Sequence, residues 1–136
     1  IRPRAISWPS GAWQATADVL ESTPDSVYDV RIASAPGGTA AALWNRGNLG
    51  IRCSRHDGEA WRAPAVIAGG EVNTAISSLE ATISPAGDVI VAWLRSSAAG
   101  YDAMYTVQSA TGAVAPAALL ERHLGLARRA DRLRRV

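Results

Sequence analysis

A chain of 136 residues in which 48% of side chains are apolar is long enough for one domain with a real core, and too apolar to be disordered. It holds no uncharged apolar run of about twenty residues, which excludes a spanning helix, and no basic-then-apolar leader that reads as a signal peptide. The net charge of +2 is uneven: residues 1–121 carry eight Arg against eleven acidic residues, and 122–136 carry six Arg against one Asp, so the mildly acidic body does not indicate a nucleic-acid groove.

The chain opens on Ile1 rather than Met, as expected of a processed chain, an excised piece or an incomplete reading frame. Arg4 to Ser7 then reads as a short strand entering a tight turn at Trp8-Pro9-Ser10-Gly11, because Pro and Gly supply the turn dihedrals. A second strand follows over Gln14 to Leu20, and Glu21 to Ser26 breaks the pattern as a loop. Val27 to Ala33 is the next strand, and Pro36-Gly37-Gly38 turns it into Thr39 to Trp44. That run has no polar alternation, so it is expected to be covered on both faces. Asn45 to Asn48 makes another turn, Leu49 to Ser54 a third strand, and Arg62 to Ala68 a fourth, which together predict a four-stranded meander. Cys53 is the only cysteine; with no thiol partner and no metal-ligand spacing it reads as a small buried hydrophobe.

The same order begins again after Gly69-Gly70. Ile76 to Ser84 is a strand, Pro85 to Asp88 a turn, Val89 to Arg95 the buried strand, Ser96 to Asp102 a loop, Ala103 to Gln108 the third strand, and Val114 to Leu120 the fourth. Pro36 and Pro85, Gly38 and Gly87, and Trp44 and Trp93 are each 49 residues apart. Trp13 precedes Trp61 by 48, so residues 4–20 match the last two strands of a preceding unit. About two and a half repeats of this length, with four short strands each, point to propeller blades rather than an isolated sandwich.

The turn Ser54-Arg55-His56-Asp57-Gly58-Glu59-Ala60-Trp61 resembles the Asp-box of bacterial neuraminidase repeats, Ser-x-Asp-x-Gly-x-x-Trp. Ser54, Gly58 and Trp61 match; His56 stands where that family has Asp, and the carboxylate is displaced to Asp57. Worn versions flank it at Ser7, Gly11 and Trp13 and at Ser109, Thr111 and Gly112. The box is a fastener: hydroxyl and carboxylate accept backbone N–H groups, Gly permits positive φ, and Trp buries a large face. The resemblance implies that such boxes lie on the rim away from the ligand mouth. Family chemistry uses an arginine clamp, an Asp acid/base and a Tyr nucleophile. The family's Arg-Ile-Pro opening is missing here, and Tyr28, Tyr101, Tyr105, Arg31, Arg46 and Arg95 sit in no context that assigns them a catalytic role.

In propellers the mouth is built by the loops between outer and next strand and between second and third. That selects Asp25, Ser26, Tyr28 and Asp29, then Asn45, Arg46 and Asn48, then Glu71 and Asn73, and finally Arg95, Tyr101 and Asp102 as ligand-binding candidates by position. From Arg122 on, Leu126, Ala130 and Leu133 at helical spacing with Arg between them predict a short basic helix, an arm for an acidic surface; the plainer reading is a disordered terminus or an out-of-frame extension.

The expected fold is all-β: four-stranded antiparallel blades of an incomplete sialidase-like β-propeller (4–20 the end of one blade, 27–68 and 76–120 two more), then an Arg-rich tail over 122–136. The expected function is a non-catalytic propeller segment of a larger protein, a scaffold for a glycan or a protein partner, completed by further blades of the same protein or by self-association. The alternative is a fragment of a sialidase-like, exo-acting glycoside hydrolase. No cofactor and no metal site are expected, and the resemblance implies a secreted or cell-surface setting.

Overall fold

The computed structural model describes residues 2–5, 18–22, 26–70 and 75–124. The first-unit box at 7–13, Asp25, Glu71, Asn73 and the tail beyond Leu124 lie outside them. Among the described residues ten strands form three antiparallel sheets. A short pair joins β1 (Arg4–Ala5) to β2 (Asp18–Val19). The first large sheet runs β3 (Tyr28–Ser34), β4 (Ala40–Asn45), β5 (Gly50–His56), β6 (Ala65–Gly69). The second runs β7 (Ala75–Ile83), β8 (Val89–Ser97), β9 (Gly100–Gln108), β10 (Ala118–Leu124). Each large sheet is a meander in which sequence neighbours pair. Among the described residues no helix is long and apolar enough to cross a membrane.

Turn chemistry sets the reversals. Gly37 and Gly38 adopt φ of 93° and 85° between β3 and β4, a conformation that costs an L side chain about 1–2 kcal/mol per residue. Ala35 N–H closes the turn on Thr39 O at 2.9 Å, and Ser84 N–H closes its counterpart on Asp88 O at 2.8 Å. At the start of β5 only glycine fits: Gly50 has φ 96°, and a Cβ there would lie 2.1 Å from Ala68 O.

The apolar run of β4 is covered on both sides, as expected from its lack of alternation. Ala41 and Leu43 join Ile51, Cys53 and Ile67 against Leu79, Val89, Val91, Trp93 and Met104 of the second sheet. Ala42 and Trp44 face the other way, into a cluster with Val27, Leu20 and Trp61. Trp44 and Trp93 are 0% and 4% exposed, each on the second strand of its sheet. Every fully buried aliphatic side chain contributes about 1.5–3 kcal/mol, so the shared cluster holds the two sheets together. β8 is not covered on both faces as expected: Val89, Val91 and Trp93 are buried, but on its far face Ile90 is 39% exposed and Ala92 and Leu94 are only half-buried.

Two details were invisible in the sequence. Each first strand carries a register shift, between Tyr28 and Arg31 in β3 and between Ser77 and Glu80 in β7. Each shift holds a non-glycine residue at positive φ, Asp29 at 46° and Ser78 at 51°, again 49 apart in the chain. The second is at the end of the chain. The fourth strand of the second sheet occupies Ala118–Leu124 rather than 114–120, with Val114 forming only an isolated bridge to Gln108. Arg122 to Leu124 are therefore strand, not the start of a helix.

Candidate functional site

The box turn is built by β5 and the approach to β6. Asp57 Oδ1 accepts the N–H groups of Glu59 and Ala60, each at 3.0 Å, and its Oδ2 is paired with the Arg62 guanidinium. These backbone donors, then Arg62, hold its carboxyl well below the usual carboxylate range. Asp57 is thus the carboxylate that holds the backbone of this turn. His56 closes the turn too, its Nδ1 accepting Gly58 N–H at 3.1 Å, and its ring stands edge-on to Trp61 with centroids 5.2 Å apart. Ser54 was expected to accept backbone N–H; instead its buried Oγ donates to Arg62 O at 2.6 Å.

The second sheet repeats this clasp, but not at the residues expected. Thr106 Oγ1 donates to Ala115 O at 2.6 Å. Ala115 N–H bonds Val107 O at 2.9 Å, just as Arg62 N–H bonds Arg55 O at 2.7 Å. Thr106 is therefore the counterpart of Ser54, Gln108 of His56 and Val114 of Trp61: His56 forms an isolated bridge with Trp61, as Gln108 does with Val114. Ser109, read from the sequence as the box serine, instead stands in the turn where Asp57 does, its Oγ accepting Ala113 N–H at 3.1 Å.

Arg55 ties the two turn ends together. Its guanidinium donates to Gly87 O and, at 3.3 Å, to Ser109 O of the second sheet. Beside it lies a cleft of about 670 Å3 lined by Pro36, His56, Pro85, Gln108 and Thr111 among others. Cys53 also lines it, but burial pushes its thiol up to about 12, so it is a neutral thiol and no nucleophile.

The opposite end carries the residues selected for ligand binding, and most are structural. Asn45 is not in a loop: it ends β4, is 2% exposed, donates to Ile76 O at 2.7 Å and accepts Gly47 N–H at 2.6 Å, pinning sheet to sheet. Asp29 is the bulge residue of β3. Arg95, Tyr101 and Asp102 are also not in a loop, because β8 and β9 meet in a tight turn at Ala98-Ala99 and extend through these positions. Arg95 and Asp102 are direct cross-strand partners, paired at 2.7 Å. Asn48 lies in a single 3-10 turn, Gly47–Leu49, and Ser26 precedes β3 as an exposed residue.

Arg46 reaches Glu21 at 3.8 Å. The same carboxylate takes Arg52 at 2.9 Å and Trp44 Nε1 at 2.8 Å. Glu21 and Arg52 were missed in the sequence, where Glu21 reads as a loop residue and Arg52 as a strand residue; no local signal links side chains so far apart in the chain. Among the candidates whose side chains are described, Tyr28 and Tyr101 present large exposed aromatic faces, 55% and 53%. A smaller cleft of about 240 Å3 lies between the sheets near Ile67, Ile76, Trp93 and Arg95. Among the described residues no group of three His, Cys, Asp or Glu side chains is placed to hold a metal ion. No protein-family model matches the chain, and neither a curated protein nor a solved structure does.

Proposed function

We propose that this chain is a segment of a β-propeller, two four-stranded blades and the end of a third, and that it acts as a binding scaffold rather than as a hydrolase. The observation that carries the reading is the recurrence of one detailed unit. Left-handed bulge residues at 29 and 78, tight turns closed at 35 and 84, buried Trp at 44 and 93, and hydroxyl clasps at 54 and 106 follow in the same order twice. Repeats of this size bury their faces only against neighbours. The sheets also touch most closely at their first strands, where β7 lies against β3 and β4, which supports a radial arrangement. The likeness of the turn to an Asp-box rests on Ser54, Asp57, Gly58 and Trp61.

The scaffold reading is favoured over a sialidase-like hydrolase by how the ionic groups are used. Arg46 and Arg52 are drawn to Glu21, and Arg95 to Asp102, whereas glycoside hydrolysis needs paired carboxylates aimed at a substrate. Tyr28 and Tyr101 offer aromatic faces of the kind that stack on sugar rings or partner side chains. A glycan array probed with the chain, beside a fluorogenic sialoside assay, tests the reading. Binding that falls about tenfold, or 1.4 kcal/mol, in a Tyr28→Ala/Tyr101→Ala double variant, with no turnover, is the expected result. Turnover that disappears when Tyr28, Tyr101 and Tyr105 are changed to Phe overturns it.

A further inference from the structure

Equivalent positions in the two sheets differ sharply in exposure. Leu79, directly after the β7 bulge, is 0% exposed, while Val30, directly after the β3 bulge, is 53% exposed. Ile32 is 66% exposed, whereas its counterpart Ala81 packs against the core. Leu79 is covered because the β3–β4 hairpin lies over β7, bringing Ala41 and Leu43 into the same cluster. Among the described residues no such hairpin lies over Val30 and Ile32. The unit before β3 is represented among the described residues only by the short pair β1–β2, whose neighbour Leu20 packs on Trp44 and Val27, and the far edge of β1 pairs with no described strand.

We infer that the surface formed by Val30, Ile32 and the far edge of β1 is a docking site for an antiparallel β-hairpin whose second strand is apolar on both faces, as β4 is. This rests on the reading of the two sheets as copies of one unit. Charge specifies the occupant further. Arg31 Nε lies 3.7 Å from Glu80 Oε1, and the two residues occupy the same position in successive units, so unit-to-unit contact sets like positions face to face. The hairpin residue at that position faces Arg31 and must be acidic; an Arg there would meet a like charge. Strand addition of this kind takes affinity from main-chain hydrogen bonds and specificity from the side chains at alternate positions.

The chain itself supplies two probes. A synthetic peptide of residues 75–97 carries Glu80 at the critical position, and one of residues 26–46 carries Arg31. By fluorescence anisotropy the full chain should bind the 75–97 peptide at least about tenfold more tightly than the 26–46 peptide, a difference of about 1.4 kcal/mol. Ile32→Arg in the chain, a change at an exposed position, should remove that binding. Arg31→Glu should reverse the preference between the peptides. Should a peptide aggregate, the same hairpin tethered through a Gly/Ser linker ahead of Arg2 is read as a rise in the urea midpoint that Ile32→Arg abolishes. Equal binding of both peptides, binding indifferent to Ile32→Arg, or no midpoint shift on tethering overturns the docking site. A matched cost of breaking the Ser54 and Thr106 clasps would leave the repeat itself standing, so the two failures are distinguishable.

Discussion

Ser54 and Thr106 show how one hydroxyl fixes a turn. Each lies on the third strand of its sheet, is 0–1% exposed, and donates at 2.6 Å to a carbonyl on the chain returning toward the fourth strand. A buried hydroxyl must find an acceptor, and here the acceptor fixes where the returning chain crosses. Ser54→Ala and Thr106→Val each remove one such bond with little change of shape. Both should lower stability by about 1 kcal/mol, the usual net worth of a buried hydrogen bond, read from urea midpoints at unchanged slope. A cost at Ser54 with none at Thr106 would break the correspondence of the two clasps.

At the scale of the element, the box turn owes its shape to a carboxylate. Asp57 is held by two turn N–H groups and Arg62, and its folded pKa is depressed. It therefore stabilises the fold above its unfolded value, about pH 4, and that contribution is lost as pH falls below this toward the folded value. Asp57→Asn keeps the Oδ1 acceptor but removes the titration. Urea unfolding between about pH 2 and 6 should show a flatter acid limb in the variant, its gap to the wild type narrowing toward the acidic end; an unchanged limb would mean that the carboxylate charge does nothing here. The strand order, the tight Gly turns and the paired Trp were legible in the sequence because alternation and left-handed dihedrals leave local marks. Other features leave none. Ser96 to Gly100 has loop composition, yet tight pairing of β8 with β9 carries Arg95, Tyr101 and Asp102 into strands. The clasp residue Thr106 was hidden because its unit has Val114 where the first has Trp61, so Ser109 matched the motif by letter while Asp57 and Ser109 match in space. Asn45 has the composition of a turn residue and becomes a buried joint only because the second sheet brings Ile76 O to it.

At the scale of the molecule, two four-stranded sheets share a core. The face of the first sheet bearing Ala41, Leu43, Ile51 and Cys53 packs on the face of the second bearing Leu79, Val89, Val91 and Trp93, while Val30, Ile32, Val66 and Ile90 stand exposed. The sheets should accordingly open together, since neither closes its core alone. Native-state hydrogen exchange on Leu43→Ala tests this most directly. Removing a fully buried Leu costs about 2–5 kcal/mol, so the slowest amides of β4 and β8 should both exchange faster, by a common factor of about 100 for a cost near 2.7 kcal/mol. Acceleration confined to β3–β6, with β7–β10 keeping wild-type protection, would show that each sheet is stable by itself and would contradict the shared core.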